Sequence, residues 1–69
     1  MRYESDVRGH APVSEGEEYN VHIEGKGREG DGIARVNNFV VFVPGTEIGD
    51  DVRIRIRKVA RSVAFAETI

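Results

Sequence analysis

The stretch between Asp51 and Lys58 constrains the fold more than any other part of the chain. Its side chains read Val-Arg-Ile-Arg-Ile-Arg, a strict alternation of apolar and basic residues. Because successive side chains of a β-strand point to opposite faces, this period of two places three apolar residues inward and three arginines outward. The segment therefore predicts a half-buried β-strand.

Four further segments have the character of short strands. They are Glu18–Glu24, with Tyr19, Val21 and Ile23 on its apolar face, then residues 33–36, 39–43 and 63–67. Glycine clusters and the pair Asn37–Asn38 separate them, and no helical period extends beyond one turn. Five short strands would leave unpaired edges in an open sheet of this size. We therefore expect an all-β fold, a small five-stranded OB-like or SH3-like β-barrel.

Length limits the chain to one domain. Sixty-nine residues bury a small core, which favours a binding module over an enzyme with its own substrate domain. Residues 1–13 are polar and unpatterned and predict a flexible N-terminal arm, followed by the barrel domain at 14–69. The chain has no cysteine and no apolar run near the roughly 18 residues that span a bilayer. Its acidic N-terminal residues are not followed by an apolar stretch, so we expect no signal peptide. We expect a cytoplasmic monomer without membrane contact.

No enzyme signature is recognisable. Gly25–Gly30 matches the G-x-G-x-x-G pattern, but a strand follows it where dinucleotide binding requires a helix. The segment predicts a glycine-built loop, from which Lys26 and Arg28 could still reach a phosphate. His10 and His22 have no second ligand at a metal spacing. We expect no catalysis, no metal and no cofactor.

The charge distribution has two interpretations. The net charge is −2, although residues 1–18 hold two basic and five acidic side chains while residues 52–66 hold five basic and none acidic. The outward arginines of the alternating strand either keep a solvated face soluble by pairing with Glu18 or Glu24, or form a track for phosphates. The sequence leaves both open.

The aromatic residues raise a similar question. If Ala64 and Ala66 point into a tapering barrel, Phe65 points outward, where it could stack on nucleic-acid bases. The alternative is that Phe65 belongs to the core. The run Phe39–Val43 offers apolar side chains on both faces, so one face either packs against the N-terminal arm or forms a stacking platform.

Several motifs in order resemble the TRAM domain, from about Val13 to the C-terminus. They are Gly30–Arg35, Phe39–Gly45, Gly49–Val52 and Ala64–Glu67. The resemblance implies a five-stranded OB-like barrel that binds RNA, such as tRNA, ribosomal RNA or single strands. The chain is similar to the small archaeal TRAM proteins, and this similarity implies an activity like that of a cold-shock RNA chaperone.

The family's RNA-facing positions carry over to eight residues. The resemblance implies stacking positions at Phe39, Phe42, Val63 and Phe65, a basic contact at Arg35, and phosphate contacts at Lys26, Arg28 and Arg61. Val63 stands where an aromatic residue would strengthen the platform. The alternative function is a protein-interaction barrel that docks on an RNA-modification enzyme or a ribosomal complex.

Overall fold

The computed structural model describes residues 12–69, and every regular element in this range is a β-strand. The strands are β1 (Glu18–His22), β2 (Gly25–Lys26), β3 (Gly32–Val36), β4 (Phe39–Val43), β5 (Asp51–Val59) and β6 (Val63–Thr68). The all-β prediction is confirmed. The predicted N-terminal arm lies outside the described residues as far as residue 11, and Val13, assigned to that arm, is buried at 3% exposure.

The six strands form one sheet in the order β1-β5-β6-β4-β3-β2. The two strands at its ends, β1 and β2, are consecutive in the chain and separated only by Ile23 and Glu24. Ile23 N donates to Asp50 O over 2.8 Å, next to β5, and Glu24 N donates to Ile33 O of β3 over 2.8 Å. One bent segment therefore joins both ends of the sheet, which curls into the small barrel that the sequence predicts.

The count of six strands instead of five comes from this bend. The sequence suggests a single strand Glu18–Glu24 followed by a loop from Gly25 to Gly32, whereas Gly25 and Lys26 form β2 and pair with β3. The remainder of the glycine cluster is the expected tight turn, since Gly27 N donates to Asp31 O over 2.7 Å and Gly30 has a φ of 93°.

The core is built from the inward parity of each strand. Its buried apolar residues are Val13, Val21, Ile23, Ala34, Val36, Val41, Val43, Ile54, Ile56, Ala64 and Ala66. The small residues Ala34, Ala64 and Ala66 lie inside, as the expected taper requires. Removing this apolar surface from water is the main favourable contribution to folding.

One polar residue lies within this core. Thr46, in the connection between β4 and β5, is 2% exposed, and its hydroxyl donates to Val43 O over 2.8 Å. A Cβ at Gly32 would lie 1.9 Å from Thr46 Oγ1, so only glycine allows the two segments to approach this closely. The contact holds the β4–β5 connection against β3.

β5 contains a β-bulge at Arg57. Ile56 pairs with Ala66 of β6, but the next pair is Lys58 with Phe65, so Arg57 is the extra residue. Arg57 and Lys58 are both exposed, and the strict alternation ends at this point.

No segment of residues 12–69 forms a helix long and apolar enough to cross a membrane.

Candidate nucleic-acid interface

The outer faces of β3, β4 and β6 form one continuous apolar surface. Ile33 pairs with Phe42, and Phe42 pairs with Phe65, which makes one row across the three strands. Val40 and Val63 pair in the adjoining row. These five side chains point outward because their neighbours Ala34, Val41 and Ala64 are buried. We call the surface of Ile33, Val40, Phe42, Val63 and Phe65 the platform.

Phe42 and Phe65 are the two aromatic rings of the platform. Their centroids are 5.7 Å apart and their planes differ by 24°, so the rings are stacked. A Cβ built at Gly27 would lie 3.4 Å from Phe42 Cε1, which shows that the glycine loop covers part of this ring. Phe65 is 41% exposed and is the ring that the platform presents to solvent. Of the two orientations that the sequence leaves open for Phe65, the structure shows the outward one.

Phe39 is not part of this surface. It has the same parity as the buried Val41 and Val43, is half-buried, and packs against the core. The three aromatic positions that the family resemblance groups together are therefore divided, with Phe42 and Phe65 outside and Phe39 against the core.

The arginines of β5 are held in ion pairs. Glu18 of β1 lies 3.3 Å from Arg53 and 3.1 Å from Arg55, and Glu67 of β6 lies 2.8 Å from Arg57. Of the two interpretations of this stripe, the structure supports the solvated, paired face, with Glu18 and Glu67 as the partners in place of Glu24.

Lys26 is also paired, with Glu47 at 2.6 Å. By contrast, four exposed cations form no ion pair with a carboxylate of residues 12–69. They are Arg28, Arg35, Lys58 and Arg61.

These four cations border the platform. Arg35 of β3 pairs with Val40 of β4, and Lys58 of β5 pairs with Phe65 of β6. Arg28 directly follows Gly27 in the loop that covers Phe42, and Arg61 lies in the turn before Val63. The apolar surface thus has positive charge along its border, which is the arrangement that suits stacked bases joined by phosphates.

Six of the eight positions carried over from the resemblance meet at the platform or its border: Arg28, Arg35, Phe42, Arg61, Val63 and Phe65. Phe39 and Lys26 are placed elsewhere. Ile33 and Lys58 were not expected at this site, and Val40 lies on a face of Phe39–Val43 whose exposure the sequence left open. Both parities of β4 are apolar, so the sequence does not show that Val40 and Phe42 face outward. Ile33 joins them by pairing with Phe42, and Lys58 reaches this face only through the bulge.

Three residues outside the platform have pKa values that are shifted by hydrogen bonds and ion pairs. The Arg55 guanidinium holds the pKa of Glu18 below its ordinary value. The Tyr19 hydroxyl donates to Glu17 over 2.5 Å, which lowers the pKa of Glu17 and raises that of Tyr19. The Glu18–Arg55 contact joins β1 to β5, whereas the Glu17–Tyr19 contact lies within one segment of the chain, and none of these groups lies on the platform.

A smaller polar cluster occupies the outer face of β1 and β5. His22 Nδ1 lies 2.7 Å from Asp51 Oδ1, and Arg53 donates to Asn20 Oδ1 over 3.1 Å. His22 is exposed, as the alternation of β1 predicts. Both contacts join residues that face each other across the β1–β5 ladder, so they contribute to strand pairing.

Comparison with known proteins places this surface in a family context. The model of the TRAM domain matches residues 12–69. An uncharacterized protein of Methanocaldococcus jannaschii is 55% identical over 65 residues, which cover 94% of this chain and 84% of that protein. The solution structure of a conserved protein from Methanococcus maripaludis superposes with a TM-score of 0.84 at 42% identity and covers 100% of this chain and 99% of that one.

Two longer relatives contain a similar segment. Translation initiation factor 2 subunit beta of Methanocorpusculum labreanum is 40% identical over 94% of this chain but 31% of its own length. Ribosomal RNA large subunit methyltransferase E of Haloarcula marismortui is 52% identical over 84% of this chain and 22% of its own length. Since the family model matches the whole described barrel, the protein belongs to the TRAM domain family.

Proposed function

We propose that this protein is a non-enzymatic RNA-binding module that takes single-stranded segments on the platform. The TRAM domain is a nucleic-acid-binding module. The observation that carries the proposal is the exposed Phe65 ring, stacked on Phe42 and bordered by four cations without carboxylate partners among residues 12–69.

The mechanism combines stacking with charge. An unstacked base lies on Phe65, and base–aromatic stacking is worth about 1–3 kcal/mol per base. Arg28, Arg35 and Arg61 contact phosphates, for which the arginine fork of donors is well suited. Because neighbouring base pairs cover both faces of a base inside a duplex, such binding favours unpaired RNA. The protein would then destabilise RNA secondary structure as a chaperone, without nucleotide hydrolysis.

RNA is favoured as the partner by the names of two relatives. One is a ribosomal RNA methyltransferase and the other a translation initiation factor subunit. Both contain a segment similar to this chain beside additional sequence of their own. We propose that the segment contacts RNA, tRNA or ribosomal RNA included, in each of them and in this protein.

A titration of a short single-stranded RNA at several salt concentrations tests the proposal. We expect the affinity to fall as salt rises, because phosphate contacts release counterions. Phe65→Ala removes the stacking ring and should weaken binding by a factor of about 5 to 150, the equivalent of 1–3 kcal/mol. Fluorescence anisotropy of labelled RNA measures both effects.

Phe39→Leu is the matched control. Phe39 packs against the core, so this change should lower stability slightly and leave RNA affinity close to that of the unmodified protein. An affinity that does not respond to salt, together with unchanged binding by Phe65→Ala, would contradict the proposal.

The alternative function uses the same platform for a protein. If the purified chain does not bind RNA, and an RNA-modification enzyme or ribosomal complex is pulled down in a ribonuclease-insensitive manner, the protein-interaction barrel is correct. Loss of that capture in Phe65→Ala would assign it to the platform.

A further inference from the structure

Two adjacent cations of β5 have different surroundings. Arg57 lies 2.8 Å from Glu67, whereas Lys58 forms no ion pair with residues 12–69. Both are exposed and both point away from the core.

The bulge creates this difference. In an uninterrupted ladder, Arg57 would lie opposite Phe65, since Ile56 pairs with Ala66. The extra residue shifts the register by one, so that Lys58 takes the place opposite Phe65. Without this shift Lys58 would have the parity of the buried Ile56 and would point into the barrel. The bulge therefore delivers a lysine to the exposed ring.

We propose that Lys58 and Phe65 form a single-nucleotide subsite, in which Phe65 stacks on one base and the Lys58 ammonium contacts a phosphate flanking that base. The inference rests on the proposed function and assigns one of its phosphate contacts to a residue outside the family resemblance. Arg57, although it has the same charge and is its neighbour, is excluded from the subsite by Glu67.

The stack of rings limits the subsite to one base. Phe42 stacks on Phe65 on one side and is partly covered by Gly27 on another, so Phe65 is the outermost ring of the stack. Phe42 then acts as a positioning residue that holds Phe65 in place. Side chains paired across strands have Cβ atoms about 4.5–5.5 Å apart, which leaves the flexible lysine free to reach beyond the ring edge.

Salt dependence separates Lys58 from Arg57. For single-stranded nucleic acid, each phosphate contact contributes about 0.7 to the slope of log affinity against log salt. Lys58→Gln should reduce the slope by about this amount. Arg57→Gln removes the same charge from the adjacent position and should leave the slope close to that of the unmodified protein. Lys58→Arg should retain the full slope.

A double-mutant cycle tests whether the two residues act on one nucleotide. Phe65→Ala should weaken binding and also weaken the Lys58 contact, because the base that positions the flanking phosphate is no longer held on the ring. Combined with Lys58→Gln, its effect should be smaller than in the unmodified protein, because the two substitutions remove parts of one subsite. Anisotropy titrations of the four proteins with the same short RNA provide the cycle.

Three results would distinguish the claims. Equal slopes for Lys58→Gln and Arg57→Gln would overturn the subsite, while RNA binding and the effect of Phe65→Ala would stand. Fully independent effects of Lys58→Gln and Phe65→Ala would also overturn it. Absence of salt-dependent RNA binding by the unmodified protein would overturn the proposed function, and the subsite with it.

Discussion

Because Gly32 has no side chain, the buried Thr46 side chain can pack directly against β3. A Cβ there would lie 1.9 Å from Thr46 Oγ1 and 3.0 Å from Ile23 Cγ2. We expect Gly32→Ala to lower the free energy of unfolding by about 1–3 kcal/mol, the usual cost of overpacking a core. Urea denaturation followed by circular dichroism measures the loss.

Gly25→Ala is the control for this substitution. Gly25 is also a strand glycine, but the nearest atom to its added Cβ would be Ile33 Cβ at 3.7 Å, an ordinary contact. If both variants unfold at the same urea concentration, the close approach of Gly32 to Thr46 is not a constraint on the fold.

The orientation of single residues was predictable where the two parities of a strand differ. The flanking alanines reduced the choice for Phe65 to two orientations, and the structure shows the outward one, with Ala64 and Ala66 buried. In β4 both parities are apolar, so the alternation cannot show that Phe42 lies outside and Phe39 against the core. That choice depends on which face of the sheet lies over the core, which the alternation within β4 does not show.

The turn between β3 and β4 shows how an element depends on backbone conformation. Asn37 and Asn38 have φ values of 52° and 67°, and a two-residue hairpin of type I′ requires positive φ at both positions. Asn38→Gly should preserve or slightly raise stability. Asn38→Val should lower it by about 1 kcal/mol or more, because a β-branched residue is strained there.

The denaturation midpoint of the two Asn38 variants checks this expectation. Thr68→Val serves as a control for an introduced valine, since Thr68 is exposed in β6, where β-branched residues are favourable. A midpoint for Asn38→Val equal to that of Asn38→Gly would show that the turn does not depend on positive φ.

Strand positions were largely predictable, and the irregularities were not. Alternation and turn residues located the strands, while the division of the first strand at Ile23 and Glu24 follows from barrel closure. The bulge had one sequence signal. Arg57 and Lys58 are consecutive charged residues, and uninterrupted alternation would bury the lysine, which is costly without a partner.

At the scale of the molecule, the acidic net charge does not describe the platform. Glu18 and Glu67 neutralise the arginines of β5 on one surface, while the cations bordering the platform have no carboxylate partner among residues 12–69. Composition adds all charges together, whereas a ligand responds to the local potential. These two surfaces are separated by the pairing of the strands, and the sequence alone does not predict which strands pair.

The lowered pKa values of Glu17 and Glu18 predict acid sensitivity. A carboxylate whose pKa is lower in the folded state stabilises the fold above its unfolded pKa and loses this contribution as the pH falls. Stability should therefore decrease below about pH 4.3, the ordinary pKa of glutamate. Glu18→Gln should make this loss of stability smaller, because it removes the carboxylate that Arg55 stabilises in the folded state.

Urea midpoints measured between neutral and acidic pH test the expectation. Glu29→Gln removes an exposed loop glutamate that forms no ion pair with residues 12–69, and it should leave the pH profile unchanged. A Glu18→Gln profile that coincides with that of the unmodified protein would contradict it.

The bent segment that closes the barrel also has a consequence for the kinetics of folding. Glu18 bonds with Arg55, 37 residues further along the chain, and β4 pairs with β6 in parallel across the whole of β5. Such contacts require large loops to close before any of them is stabilised, which slows folding. β1 cannot take its place until β5 is available, so this small barrel should refold in milliseconds to seconds, as other non-local β-folds do.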